Sequence, residues 1–104
     1  MRLMTMNAPT IKEIQQRTAN ATGVPVSDIM SYRRDGPTTR ARQIAMYAAR
    51  LLTPFSLPQI GHAFNRDHTT VLYTVRRIES RIYGEPDLVA AIRQVCTTGG
   101  GHEH

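Results

Sequence analysis

Four consecutive polar side chains precede an apolar helical stripe in the second half of the chain: Asp67, His68, Thr69 and Thr70. A carboxylate can accept a hydrogen bond from the cytosine amino group, and a threonine can bond a base edge while its methyl group packs on a thymine methyl. A neutral histidine donates or accepts according to its tautomer. Plain helix capping is the alternative for Asp67, but the quartet next to Arg66 favours base readout from a helix tip.

The positive charge is almost entirely arginine and lies in the middle of the chain. Twelve of the 13 basic residues among the 104 are Arg. Nine of them fall between Arg33 and Arg81 against three acidic residues, a net charge of +6, while four basic and five acidic residues outside this range give −1. The guanidinium fork suits phosphates and guanine edges. The pattern predicts an anionic partner, with nucleic acid first; an ordinary solvated basic face is the alternative.

Two further groups of residues could bind a duplex. Arg33 and Arg34 lie beside the turn at Asp35-Gly36, and an arginine arm of this kind can enter a narrow minor groove. A solvated turn is the alternative. Backbone N–H groups at the helix start Ser56–Pro58 could bind phosphate, as could three arginines of one helix: Arg40, Arg42 and Arg50.

Helical periodicity runs through the chain, and no segment alternates with period two for long enough to predict a strand. We therefore predict an all-α fold, a helix-turn-helix bundle of about six helices. The longest predicted helix runs from about Thr39 to Leu52 and has an apolar face of Ile44, Tyr47, Ala48 and Leu51. The other predicted starts or caps are Thr10 (with Glu13 in capping-box spacing), Ser27, Ser56, Asp67 and Asp87.

The segment Ser56–Arg81 reads as a short helix, a tight turn and a longer helix, the order of a helix-turn-helix unit. Gly61 would permit a close approach of a neighbouring segment. The apolar sides are Leu57, Ile60 and Phe64 in the short helix, and Val71, Val75, Ile78 and Ile82 in the long one. The last predicted helix has an apolar face of Leu88, Ile92 and Val95, which closes the core or, as the alternative, forms a dimer face. The sequence predicts no particular oligomeric state.

Several function classes find no support. No apolar run spans a membrane, the N-terminus lacks the apolar region of a secretory signal, and the single Cys96 predicts a buried thiol in a reducing cytoplasm. Phosphate-loop, zinc-protease and nucleophile-elbow motifs are absent, so we predict no enzyme, no catalytic residue, no cofactor and no small-molecule substrate. His102-Glu103-His104 could ligate a metal in a metal-dependent enzyme, but we predict no metal site.

Three strings strongly resemble the C-terminal DNA-binding domain (domain IV) of DnaA, the bacterial chromosomal replication initiator: Arg40–Tyr47, Ser56–Gly61 and Phe64–Val71. The resemblance covers about Ile11 to Ile82. It implies binding of double-stranded DNA at DnaA-box-like sites, with Asp67, His68, Thr69 and Thr70 in the major groove and Arg34 in the minor groove. With the charge pattern, it gives these phosphate contacts: Arg33, Arg40, Arg42, Arg50, Leu57, Pro58, Arg66, Arg76 and Arg77.

The chain departs from the family pattern at the turn. The family usually has F-G-G-R-D-H, whereas Phe64-Asn65-Arg66-Asp67-His68 is one residue shorter. The turn sets the angle of the recognition helix, so the preferred DNA sequence is expected to reflect this difference. The basic loop, predicted at Arg33–Thr39, also has fewer basic residues than the family pattern, with Asp35 and Gly36 where basic or small polar residues are common.

We expect a disordered N-terminus at 1–9, a DNA-binding domain at 10–96 and a flexible Gly/His tail at 97–104. No Walker motif is present, so the expected function is that of a stand-alone module without ATPase. It would bind DNA sequence-specifically in the cytoplasm, at the nucleoid, in replication initiation control or transcriptional regulation of a bacterium or phage. The alternative is a protein-interaction adaptor that has kept the scaffold and recruits replication proteins.

Overall fold

The computed structural model describes residues 8–101, and side chains as far as Thr97. Within this range the chain forms six helices and no strand, which confirms the predicted all-α class. The helices are α1 (Ile11–Thr22), α2 (Val26–Ile29), α3 (Gly36–Leu52), α4 (Leu57–Phe64), α5 (His68–Arg81) and α6 (Pro86–Gly101).

The longest helix, α3, is the centre of the bundle, because all five other helices pack against it. Its small side chains let the neighbours approach: Ala41, Ala45, Ala48 and Ala49 are fully buried. Leu51 was predicted to face inward, but it is 54% exposed. This prediction is wrong because Leu51 lines open grooves beside α5 and α6 instead of packing into the core.

Helices α1 and α6 pack on each other and on α3. Leu88, Ile92 and Val95 of α6 are buried in the same core as Ile14 of α1. The Arg17 guanidinium adds a hydrogen bond to the Val95 carbonyl oxygen at 3.2 Å. The apolar face of α6 was predicted to close the core or to form a dimer face, and the first of these interpretations is therefore confirmed.

Side-chain caps define three of the helix starts as predicted. Thr10 with Glu13 and Ser56 with Gln59 form reciprocal capping boxes at α1 and α4. Asp67 caps α5 by accepting a hydrogen bond from the Thr69 N–H.

Three predicted starts need correction. Helix α3 begins at Gly36, capped by Asp35, because Pro37 fits the first turn, where its missing N–H costs nothing. Pro25 rather than Ser27 precedes α2. Helix α6 begins at Pro86, so Asp87 lies inside the first turn.

The last helix continues to Gly101, so residues 97–101, expected in a flexible tail, are helical. The remainder of that tail, His102–His104 with its candidate metal ligands, and residues 1–7 of the expected disordered N-terminus lie outside the described residues. Within the described residues, the helices are all too short or too polar to cross a bilayer.

Candidate nucleic-acid interface

The turn between α4 and α5 consists of Asn65, Arg66 and Asp67. Asn65 has a φ of 57°, in the left-handed region that asparagine tolerates better than most residues. Its N–H bonds the His62 carbonyl at 3.2 Å, and the N–H of Arg66 bonds the Gly61 carbonyl at 2.8 Å. This Schellman ending stops α4 with a single left-handed residue, and the turn needs no glycine pair.

Gly61 makes the contact between the two helices possible. A Cβ at this position would lie 2.5 Å from the Arg66 carbonyl oxygen and 3.3 Å from the His68 nitrogen. Both neighbours are backbone atoms, which cannot rotate away as a side chain would. The predicted close approach at Gly61 is confirmed, and it fixes where α5 begins.

The structure exposes all four residues of the predicted recognition quartet, Asp67–Thr70, at the start of α5. The Asp67 carboxylate accepts hydrogen bonds from the N–H and the hydroxyl of Thr69, both at Oδ2. These bonds, the hydroxyl first, lower the pKa of Asp67 below its ordinary value. Asp67 therefore caps α5, as the alternative interpretation predicted, and it is nevertheless exposed at the tip of the helix.

The basic loop, residues 30–35 between α2 and α3, carries two further predicted contacts, Arg33 and Arg34. The Arg33 guanidinium forms ion pairs with Asp28 at 3.2 Å and Asp35 at 2.9 Å. A hydrogen bond from Thr38, at the start of α3, is the main cause that lowers the pKa of Asp35. Arg34, the next residue, is exposed. Arg33 thus braces the loop, and Arg34 projects from it.

Arg42 corrects a prediction. It is 5% exposed, and its guanidinium donates to the carbonyl oxygens of Ile29 at 2.8 Å, Ser31 at 2.9 Å and Arg33 at 3.0 Å. Burial is the main cause that lowers its pKa, with the nearby Arg66 charge second. Arg42 therefore holds the basic loop on α3, and the direct phosphate contact expected of it is not available in this structure.

The Arg66 side chain reaches from the turn to the basic loop. Its Nη2 donates to the Ser31 carbonyl at 2.8 Å, and its Nη1 donates to the carbonyls of Phe64 at 3.1 Å and Asn65 at 3.2 Å. The guanidinium also stacks over the ring of Tyr32, 5.1 Å from its centroid. Local sequence patterns could not predict this bridge, because Ser31 is 35 residues away from Arg66.

A groove of about 440 Å³ at the start of α4 brings together three residues predicted to contact phosphate, Arg50, Leu57 and Arg76, and the Glu79 carboxylate also lines it. The capping box satisfies the N–H groups of Ser56 and Gln59, and Pro58 has none. Among the described residues, the Leu57 N–H makes no hydrogen bond, as is usual in the first turn of a helix, so this donor can bind a ligand.

The remaining predicted contacts are dispersed. Arg77 is exposed on α5, and Pro58 is exposed at the start of α4. Arg40 is exposed but lines a different groove, beside the end of α1 and the start of α6. The sequence reasoning missed Tyr73, which is 66% exposed one turn after Thr69; the i to i+4 spacing on α5 was the signal that could have found it.

In the described part of the chain, no group of three or more His, Cys, Asp or Glu side chains could hold a metal ion. The Cys96 thiol is half-buried, and burial raises its pKa. A raised pKa makes a thiol a poorer nucleophile.

Comparison with known proteins gives one consistent result. The family model described as the bacterial dnaA protein helix-turn-helix matches residues 11–78. The chromosomal replication initiator protein DnaA of Bartonella quintana is 47% identical over 79 residues, which cover 75% of this chain and 16% of that protein. The protein of the same name from Brucella abortus is 46% identical over 79 residues, with the same coverage.

The initiator protein DnaA of Caulobacter vibrioides is 51% identical over 72 residues, which cover 68% of this chain and 15% of that protein. The chain therefore spans about a sixth of the length of the curated relatives it matches. The matched region, residues 11–78, includes the basic loop, the whole of α4 and most of α5.

Proposed function

The chain belongs to the family of bacterial DnaA helix-turn-helix domains, and from this premise we propose that it binds double-stranded DNA sequence-specifically at DnaA-box-like sites. The observation that carries the proposal is the exposed quartet Asp67–Thr70 at the start of α5. Four hydrogen-bonding side chains at the end of a helix braced by a tight turn match the geometry with which such helices enter a major groove.

In the proposed complex the tip of α5 reads bases and the basic loop reads the adjacent minor groove. His68 supplies a donor or acceptor, and the methyl group of Thr70 supplies an apolar contact for thymine. The exposed Arg34 enters the minor groove, where the negative potential is strongest over A·T-rich steps. The two elements together would specify a site longer than one groove can encode.

Phosphate contacts set the position of the domain on the duplex. The Leu57 N–H, with Arg50 and Arg76 beside it, forms an anion site at the start of α4. Arg40 and Arg77 add exposed charge. If about five phosphates are neutralised, log K should fall with log salt at a slope of about −4 to −5.

The biological role that fits this binding is control of replication initiation or transcription through occupation of such sites. The binding requires only residues of the described domain. The adaptor alternative rests on no feature of the structure, and it predicts little affinity for any duplex at physiological salt.

An unbiased selection tests the proposal. Purified protein is incubated with a pool of random duplexes at about 0.15 M salt, and bound DNA is sequenced over several rounds. We expect one enriched motif related to a DnaA box. The proposal is rejected if the pool is retained but no motif is enriched, and the adaptor alternative is favoured if no DNA is retained.

A further inference from the structure

We propose that Arg66 is a positioning residue: its guanidinium fastens the basic loop to the turn of the helix-turn-helix, so that Arg34 and the tip of α5 address adjacent grooves in one fixed register. This inference rests on the proposed DNA binding and assigns Arg66 a task other than phosphate contact. It makes one side chain responsible for the relation between the two reading elements.

The geometry of the fork carries the argument. Nη2 of Arg66 donates to the Ser31 carbonyl of the loop at 2.8 Å, and Nη1 donates to the Phe64 and Asn65 carbonyls at the end of α4. The two nitrogens of one planar group therefore hold two segments that are 35 residues apart. A lysine has a single ammonium without this fork and could not reproduce the arrangement.

The ring of Tyr32 completes the attachment. It is 78% exposed, yet the Arg66 guanidinium lies over it at 5.1 Å. An exposed aromatic ring that packs on a cation is held by that contact. Residues 31 and 32 are thus both attached to Arg66, and Arg34 is only two residues further along the chain.

Arg66 is the direct link between the loop and the α4–α5 unit. Arg42 holds the same loop through the carbonyls of Ser31 and Arg33, but it attaches the loop to α3. Among the described residues, one hydrogen bond joins the loop to the α4–α5 unit, and Arg66 donates it to Ser31. Without Arg66, the loop would stay on the bundle but lose its register to the recognition helix.

Two arginines donate hydrogen bonds to the same carbonyl oxygen, and this arrangement favours a role of Arg66 in DNA binding over a role in the stability of the free protein. Arg42 and Arg66 both donate to the Ser31 oxygen, and the Arg66 charge contributes to the lowered pKa of Arg42. Like charges this close repel each other. A bound polyanion would relieve that repulsion, so the arrangement is better suited to the complex than to the free protein.

A double-mutant cycle with Arg34 tests the proposal. Affinity for the selected duplex is measured for Arg34→Ala, Arg66→Lys and the double variant, with Arg81→Lys as the control, because Arg81 is an exposed arginine of α5 paired with Glu85 at 3.2 Å. We expect about a tenfold loss for Arg34→Ala, a loss of similar size for Arg66→Lys although its charge is kept, and less than a further twofold loss in the double variant.

Other outcomes reject the positioning role. If Arg66→Lys binds within twofold of the native protein, only the charge matters. If the two single losses multiply in the double variant, Arg66 acts independently of Arg34, as a phosphate ligand would. An additional check uses Arg66→Gln in the Arg34→Ala background: a phosphate contact predicts a salt slope flatter by about 0.9, whereas the positioning role predicts an unchanged slope.

The design separates this inference from the proposed function. Native protein that does not distinguish the selected duplex from a scrambled one refutes the proposed function, whatever Arg66 does. Thermal melting of each variant shows that it is folded. If Arg66→Lys does not fold, the cycle is repeated with Tyr32→Ala, which removes the stacking platform and leaves every hydrogen bond of the turn; additive losses with Arg34→Ala would again reject the positioning role.

Discussion

Replacing Gly61 by alanine should lower both the stability and the DNA affinity of the domain. The added Cβ would lie 2.5 Å from the Arg66 carbonyl oxygen, whereas carbon atoms in ordinary contact are about 3.5–4.0 Å apart. Overpacking of this kind costs about 1–3 kcal/mol, and because this clash is with backbone, which cannot rotate away, we take the upper part of that range, about 2–3 kcal/mol. Alanine recovers about 1 kcal/mol of helix propensity relative to glycine, so we expect a net loss of about 1–2 kcal/mol in the free energy of unfolding.

For a domain of this size 1 kcal/mol corresponds to about 4–8 °C in melting temperature, so Gly61→Ala should melt about 4–16 °C lower. Gly84→Ala is the matched control, because a Cβ there meets nothing within 4 Å. Thermal melting followed by circular dichroism measures both. If Gly61→Ala melts within 2 °C of Gly84→Ala, the close contact of α4 with the turn does not exist in solution and the account of the turn is wrong.

Three further predictions concern single side chains. Arg42→Ala should lower the free energy of unfolding by about 2–4 kcal/mol in urea titrations, because the carbonyls of Ile29 and Arg33 lose the Arg42 donor and that of Ser31 keeps only Arg66; an effect below about 0.5 kcal/mol would contradict its structural role. Arg50→Ala should weaken binding to all duplexes alike and flatten the salt slope by about 0.9, unlike Lys12→Ala on α1; a loss confined to the selected duplex would contradict this. Thr69 lowers the pKa of Asp67 in the folded protein. The charged Asp67 therefore stabilises the fold above the ordinary pKa of about 3.9, and this contribution disappears as the pH falls through the lowered folded-state pKa. The prediction is contradicted if the difference in unfolding free energy between the native protein and Asp67→Asn stays constant between pH 6 and pH 2.5.

Features that depend on neighbours in sequence were predictable. Thr10, Ser56 and Asp67 cap their helices through bonds that span two or three residues, so the local residue types are sufficient to predict them. Gly61 was predictable as a site of close approach because glycine is otherwise unfavourable inside a helix. The exposed quartet followed from its place before the apolar stripe of α5.

Features that depend on distant parts of the chain were not predictable from the sequence. Helical periodicity places Arg42 off the apolar stripe, but it cannot show that the preceding loop supplies carbonyls to a buried guanidinium. The bridge from Arg66 to Ser31 is equally non-local. Leu51 fits the stripe of α3 and is nevertheless exposed, because the period predicts a face and not how closely the neighbouring helices α5 and α6 pack against each position of it.

The start of α3 was missed for a different reason. Asp35, Gly36 and Pro37 are typical turn residues, and the same residues also form a capped helix start with proline in the first turn. Both readings agree with local propensities. The packing of Thr38 into the interior, where it is 2% exposed, is consistent with the helical one.

The most direct test of the account is a competition between selected and scrambled duplexes for native protein and His68→Ala. His68 is exposed at the tip of α5, and its removal leaves the Asp67 cap intact. We expect its affinity for the selected duplex to fall about 5- to 150-fold, corresponding to about 1–3 kcal/mol, while the affinity for the scrambled duplex changes less than twofold. Equal losses on both duplexes would show that the tip of α5 does not read bases.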